Sequence, residues 1–488
     1  MIGKLGLNVN EIKDVCKKHE TDMDHFWATV QKQFNFSVIQ KAGDRQKRSG
    51  LPIGILFEIA IAMPILLVGT IRGFFASQFN RMLSCGQWTF HRFYQDSQFN
   101  WRKVLYRFNK QIEKTEQQSE TTARHPKALI LDDSTLAKTG KKIEGVSRVH
   151  DHVSNTFPIG YKLLGLQWFN GHYGRFLDFC LVAEKKLQLK RKKKQFSKKR
   201  DKKSPGAVRK SELKKDKITL GCELLTNAVK HGFIPDFVMT DTWFTCAKLI
   251  NKVRSLAKGA IHFLGMIKNG PRKYLYEGKK FSLSELRKHV MSHQSRCSRF
   301  KSRYIIVDCI IPDIGQVRIL FSRFHGNKKW VALVTTKMDM TYIEAIETYA
   351  IRWNIEIGFK ESKSILGLGK CQANDFDCQI AHISSVFIAH AILATCKYQE
   401  DYQSFGELYA HIEHQYTQLL TMEKLLLLFE ELIHSIAEQM GGADKITISQ
   451  FLNSPEYEMF KTMLGESLVL NANGQLLPDK QSNQAQVA

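Results

Sequence analysis

The hydrophobic pattern along the chain changes its period twice. Up to about residue 125 the spacing is helical: Asn10 to His19, Met23 to Phe34 and Trp101 to Gln118 each set a charged face beside an apolar one. Leu51 to Thr70 reads LPIGILFEIAIAMPILLVGT, close to the length that spans a bilayer. Glu58 in its middle, and Pro52 and Pro64 within it, favour a buried core helix over a membrane span. From Lys127 the texture becomes that of strands. Ala128 to Asp132 is an apolar run ending in acid, and Tyr161 to Phe169 and Gly174 to Glu184 follow, joined at Asn170-Gly171 as a hairpin. Helix Leu220 to Lys230, strand Asp236 to Thr240, helix Phe244 to Leu256 and strand Ile261 to Ile267 come next. Three strands, a helix, then alternating strands and helices predict an α/β, ribonuclease-H-like domain over residues 126–395. Arg303 to Ile311, Gln316 to Phe324 and Lys329 to Thr336, punctuated by Pro312, Gly315 and Gly326, predict an antiparallel β-insertion over about 270–336. Helical regions flank this domain at 1–125 and 396–488, with Met422 to Met440 amphipathic and a disordered tail from Asn471.

Charge narrows the class. The 488 residues carry 72 Lys and Arg against 47 Asp and Glu, net +25. Such a chain repels itself when compact and answers a polyanion, nucleic acid first and an anionic membrane second. Lys185 to Lys217 holds seventeen Lys and Arg against three acids and reads as a solvated arm that orders on phosphates. Trp101 to Lys110 interleaves basic and aromatic residues, as a helix lying on DNA does, which makes 1–125 a candidate DNA-binding region. Ten scattered cysteines without a C-x-x-C pair predict reduced thiols and no structural metal. The polar residues through Lys18 do not read as a signal peptide, and no membrane association is expected.

The chemistry lies late in the chain, in Tyr349-x-x-Arg352-x-x-x-Glu356-x-x-x-x-x-x-Lys363. On one helix these four positions fall within an arc of about 60°. Ile346, Ala350, Trp353 and Ile357 form a separate apolar stripe suited to burial. A carboxylate among basic groups and a phenol suits a phosphodiester: the acid holds metal and the cations hold phosphate oxygens.

This spacing resembles the Y-R-E-K signature of the DDE transposases of bacterial insertion sequences, family four (IS4-type). Arg352-Trp353, Ile355-Glu356 and Phe359-Lys360-x-x-Lys363-x-x-x-Gly367-Leu368-Gly369 are similar to it as well, and the likeness runs from Ala128 to about His390. It implies two further acids. Phe237-Val-Met-Thr-Asp241-Thr-Trp-Phe looks like the second motif, and Asp241 doubles as an N-cap for the helix that follows. Leu129-Ile-Leu-Asp132-Asp133-Ser134-Thr135 looks like the first. Acid followed by a small hydroxyl residue selects Asp133, and because a strand alternates sides, Asp132 falls to a supporting or exposed place.

The resemblance therefore implies catalytic, metal-holding Asp133, Asp241 and Glu356, with two Mg²⁺ (Mn²⁺ as substitute) about 4 Å apart. Tyr349, Arg352 and Lys363 would grip DNA phosphates. Lys138 and Arg148, in a basic loop with Lys141, Lys142, His150 and His152, would add DNA contacts. It further implies cleavage at terminal inverted repeats of double-stranded DNA, joining to target DNA, a homodimer on DNA, and a cytoplasmic, nucleoid-associated place in a bacterium. Two rivals share the residues: a metal-dependent nuclease that cuts without joining, and a DNA-binding protein descended from a transposase.

Overall fold

A computed structural model describes residues 53–65, 71–72, 86–118, 125–184 and 195–399, single positions at 404, 405 and 408, and two short strands at 469–470 and 476–477. The expected helices at Asn10 to His19, Met23 to Phe34 and Met422 to Met440 lie outside these residues. Contacts divide the chain into two units, residues 31–409 and residues 1–30 with 410–488. In the second unit, Val469–Leu470 pairs with Leu476–Leu477 in antiparallel fashion.

In the first unit, among the described residues, three helices precede the sheet: α1 (Ile53–Ile65), α2 (Gln87–Tyr94) and α3 (Trp101–Gln118). The apolar run resolves as α1, a buried core helix as expected, with Leu56, Phe57, Ala60 and Ile61 sealed from solvent. α3 has its expected bounds but another role. Trp101, Val104, Leu105, Tyr106 and Phe108 are buried, and Arg102 is turned onto Asp178 and Glu212. Its aromatic face therefore belongs to the core, not to a surface on which DNA could lie.

The strands are β1 (Ala128–Ala137), β2 (Ser147–Arg148), β3 (Ile159–Phe169) and β4 (Gly174–Val182). The β3–β4 turn is the predicted hairpin: Asn170 Oδ1 accepts from the amides of His172 and Tyr173, and Gly171 takes φ +102°. Next come α4 (Pro205–Glu212), α5 (Lys217–Lys230), β5 (Phe237–Thr240), α6 (Ala247–Ser255) and β6 (His262–Ile267). The insertion contains β7 (Tyr274–Tyr276), β8 (Lys279–Phe281), α7 (Leu283–His289), β9 (Ser295–Cys297), β10 (Ser302–Ile311), β11 (Gly315–Phe324) and β12 (Val331–Thr335). Last are α8 (Tyr342–Ala350), α9 (Trp353–Ser364) and α10 (Phe376–Gln399).

Together the strands form one mixed, twelve-stranded sheet in the order β2-β3-β1-β5-β6-β12-β11-β10-β7-β8, with β4 on β3 and β9 on β10. β1 is central, antiparallel to β3 and parallel to β5, which is parallel to β6. β12 adds to β6 in antiparallel register, so the insertion extends the sheet instead of standing apart from it. α10 is long and apolar enough to cross a membrane, yet 94% of that window is buried inside the protein, among α1, α3, α9 and β4.

The expected solvated arm is a structural element over its described part. Phe196 donates its amide to the carbonyl of Lys142, and Arg200 is buried against Glu144, Asp375 and Asp377. Lys198 also holds Asp375 and Asp377, and Lys210 holds Glu144. In α4, Arg209 lies under the Phe179 ring and bonds Asp178. The acids that order this segment are distant in sequence, which a local charge count misses. Residues 185–194 lie outside the description.

Candidate active site

Strand register builds the site. β1 and β5 run parallel with Leu131 opposite Thr240, so Asp132 and Asp241 come next, side by side where β5 ends and β1 runs on. Alternation then divides the acids of β1. Asp132 lies across from Gly165 of β3, the position where Phe359 of α9 comes so close that a Cβ would meet its Cζ at 2.8 Å. Leu131 and Asp133 take the other side, where α5 packs: a Cβ on Gly221 would meet Leu131 Cδ2 at 2.7 Å. Asp132 is thus on the face of α9 and Asp133 on the face of α5.

This reverses the expected placement. Asp133 Oδ1 is 3.0 Å from Lys217 Nζ and its Oδ2 is 3.4 Å from Lys162 Nζ, so two ammonium groups engage it. Asp132 instead feels Asp241. Burial, and then the negative charge of Asp241, push the Asp132 carboxyl up to about 7, against the pull of Arg352. Asp241 is fixed by a local turn, its Oδ1 accepting from the amides of Trp243 at 2.9 Å and Phe244 at 3.1 Å.

Tyr349, Arg352, Glu356 and Lys363 do share one face, though two helices supply it. The amides of Ile351 and Arg352 bond three residues back, to Thr348 and Tyr349, which tightens the turn between α8 and α9. All four side chains reach β1, the end of β5 or each other. The Tyr349 hydroxyl donates to the Thr240 carbonyl at 3.2 Å, and Lys363 Nζ bonds Ser134 Oγ at 2.7 Å. Arg352 spans two acids, Nη1 at 3.5 Å from Asp132 Oδ2 and Nη2 at 2.7 Å from Glu356 Oε1. Burial raises the Tyr349 phenol to about 12 and lowers the Lys363 ammonium.

Two further expectations fail here. Lys138 is buried, its ammonium donating at 2.7 Å to the carbonyls of Gly369 and Cys371, and burial lowers it to about 8. It staples the residue after β1 to the loop after α9, so its ammonium is engaged within the protein. The stripe of Trp353 and Ile357 is not the buried face of α9: these side chains are 57% and 49% exposed, while Ile355, Gly358, Phe359 and Ser362 pack inward. Arg148 is exposed, with one bond to the carbonyl of Phe157 at 3.0 Å.

Sequence reasoning missed Lys162 and Lys217. Lys162 was visible as the one charge within the apolar run Tyr161 to Phe169. Lys217 was hidden in the arm, and its ammonium also sits 4.1 Å from the Trp243 ring centroid.

The donors available to a metal are oxygens. Asp132 and Asp241, half-buried and adjacent just past the β1–β5 pairing, offer hard oxygen donors from two strands, so the residues fit a hard divalent cation. Among the described residues no three Asp, Glu, His or Cys side chains stand at metal-holding spacing. Glu356 is turned onto Arg352.

A search of curated proteins returns no match. Among solved structures, a piggyBac transposase synaptic complex with hairpin DNA, determined by cryo-EM, is 11% identical over 90% of this chain and 85% of that one, with a TM-score of 0.37. Residues 80–265, a span that contains Asp132, Asp133 and Asp241 and ends before Glu356, match the family described as DDE superfamily endonuclease.

Proposed function

We propose that the protein is a DDE transposase of ribonuclease-H-like fold that cuts double-stranded DNA at the ends of an insertion sequence and joins those ends to target DNA. The carrying observation is the pair Asp132 and Asp241, side by side just past the parallel pairing of β1 and β5, under the helix that bears Glu356. The endonuclease family match over the same strands supports this reading. So do the four side chains of the Y-R-E-K pattern, which reach β1, the end of β5 or each other.

In this proposal Asp132, Asp241 and Glu356 hold the metal, and Asp132 replaces Asp133 as the first acid. Bound Mg²⁺ or Mn²⁺ would polarise a water and neutralise charge at the phosphate. The chain's own groups do the rest. Arg352 keeps Glu356 and Asp132 on the same face and offers donors to phosphate oxygens. Lys363, anchored on Ser134, adds a cation to that face, and Tyr349 locks the end of α8 to β5. Asp133 holds Lys162 and Lys217 on the reverse side of β1. Exposed Arg148 is a DNA contact of the same enzyme, which would act as a homodimer on DNA in the bacterial cytoplasm.

The test uses full-length protein and a supercoiled plasmid carrying its gene with the flanking sequence. Cleavage products and joined products are expected with Mg²⁺ or Mn²⁺, binding without cutting in Ca²⁺, and neither product in EDTA. Cutting without any joined product would favour the plain nuclease. Full activity in EDTA would remove the metal-dependent reading altogether.

A further inference from the structure

The strand registers bring a second set of charged side chains to the same end of the sheet. Arg303 on β10 stands opposite Arg296 on β9 and opposite Arg323 on β11. Three guanidinium side chains therefore lie in one lateral row across adjacent antiparallel strands. Like charges placed directly opposite one another destabilise a sheet. Among the described residues no acid pairs with Arg296, Arg303 or Arg323: Asp308 is taken by Arg318, Glu347 by Arg299, Glu277 faces His289, and Glu285 caps α7. Arg296 and Arg303 are exposed. Arg323 lies 5.2 Å over the Trp330 ring, and Arg287 of α7 lies 5.5 Å over the same ring. Stacking fixes these two planes and leaves their N–H edges free for an outside acceptor. Residues 268–330 as a whole carry fifteen Lys and Arg against four acids.

The row lies at the carboxylate end of the sheet. β5 ends at Thr240 beside Gly265 of β6, and β6 runs on to Ile267 opposite Ala332. β12 begins there, with Val331 opposite Ser322, and Ser302 of β10 pairs with Phe324 of β11. One rim thus carries Asp132 and Asp241 at β1 and β5, exposed Lys268 just past β6, and the arginine row at β11, β10 and β9. From β1 to β10 is five strand spacings, about 24 Å. That is roughly seven base pairs along a duplex.

We propose that Arg296, Arg303 and Arg323 form a docking surface for the phosphate backbone of duplex DNA, holding the duplex beyond the carboxylates. The inference rests on the reading of the chain as a DNA-cutting enzyme. The partner follows from the chemistry: a row of forked donors needs regularly spaced anions, and a duplex reaching the carboxylates passes along this rim. Contacts of this kind add affinity and register without reading sequence.

The experiment measures affinity of the full-length protein for duplex DNA across a salt series, in Ca²⁺, for wild type and the triple variant Arg296→Gln, Arg303→Gln, Arg323→Gln. Each lost phosphate contact removes about 0.9 from the slope of log affinity against log salt, so the triple variant falls by about 2.7. Replacement of all three by Lys keeps the slope. Without DNA the Gln variant keeps its melting temperature, because the relieved repulsion offsets the lost stacking of Arg323 on Trp330; a purely structural row would instead lower it. Should the triple variant not fold, Arg303→Gln alone is expected to reduce the slope by about 0.9. An unchanged slope overturns the proposal whether or not the wild type cuts DNA. A wild type that shows the slope difference yet never cuts overturns the reading of the carboxylates and leaves the docking surface standing.

Discussion

Glu144 anchors the segment that sequence charge alone makes a free arm. Its carboxylate is buried, accepts from Arg200 Nη1 at 3.0 Å and Nη2 at 2.6 Å and from the amide of Phe376 at 3.2 Å, and also meets Lys210. Burial would raise its pKa, but the bonds and charges of Arg200 and Lys210 prevail and hold it at about 2, below the ordinary 4.5. A carboxylate depressed in the folded state stabilises it above the unfolded pKa and loses that contribution as pH falls through the folded one. At about 1.4 kcal/mol per unit, Glu144 contributes about 3 kcal/mol at neutral pH and roughly half of that at pH 3. Glu144→Gln should therefore be less stable than wild type at pH 7, with the two curves converging between pH 5 and 2. Urea unfolding followed by tryptophan fluorescence at pH 7, 4 and 3 measures the difference. A constant offset across that range would refute the ion-pair account and leave only lost packing.

Three other substitutions probe the site's supports. Gly165→Ala places a Cβ 2.8 Å from Phe359 Cζ and 3.2 Å from Phe176 Cε1, so α9 must shift. The expected cost is about 1–3 kcal/mol of stability, seen in urea unfolding, together with reduced cleavage because Glu356 moves with the helix. Lys138→Met should lower stability yet leave the salt dependence of DNA binding unchanged, since its ammonium is spent on two carbonyls. Arg148→Ala should do the opposite, reducing that slope by about 0.9 with little change in melting temperature.

Much of the fold is legible where turn chemistry and periodicity agree. Pro312, Gly315 and Gly326 bracket the insertion strands, and β10, β11 and β12 lie within about two residues of their expected bounds. β1 runs on to Ala137, past the expected end, because β3 pairs with it through Gly160. The short elements β7, β8 and α7 are too brief to leave a periodic trace. α10 escapes for the opposite reason: it is apolar all round and shows no amphipathic face to detect. For the site, the late Tyr-Arg-Glu-Lys pattern singles out four side chains that the fold brings together near β1 and β5. The choice between adjacent acids does not follow from the same data. Alternation says that Asp132 and Asp133 face opposite ways, but which faces α9 depends on the β1–β5 register and on where α5 and α9 pack. Those are relations between residues far apart in the chain, such as Leu131 with Gly221 and Thr240, and Gly165 with Phe359. The arm was misread for a related reason, since Glu144, Asp178, Asp375 and Asp377 neutralise it from elsewhere in the chain.

The placement of Asp132 is the central claim, and one comparison tests it most directly. Asp132→Asn and Asp133→Asn are prepared in the full-length protein and assayed side by side for Mg²⁺-dependent cleavage of the plasmid that carries the gene and its flanks. DNA binding in Ca²⁺ serves as the check that each variant is folded. Asp132→Asn should bind DNA and yield no cut product, because it removes one of the paired carboxylates beside Asp241. Asp133→Asn should still cut, at a reduced rate, because it only loosens Lys162 and Lys217. The reverse outcome, cleavage by Asp132→Asn and none by Asp133→Asn, would contradict the account.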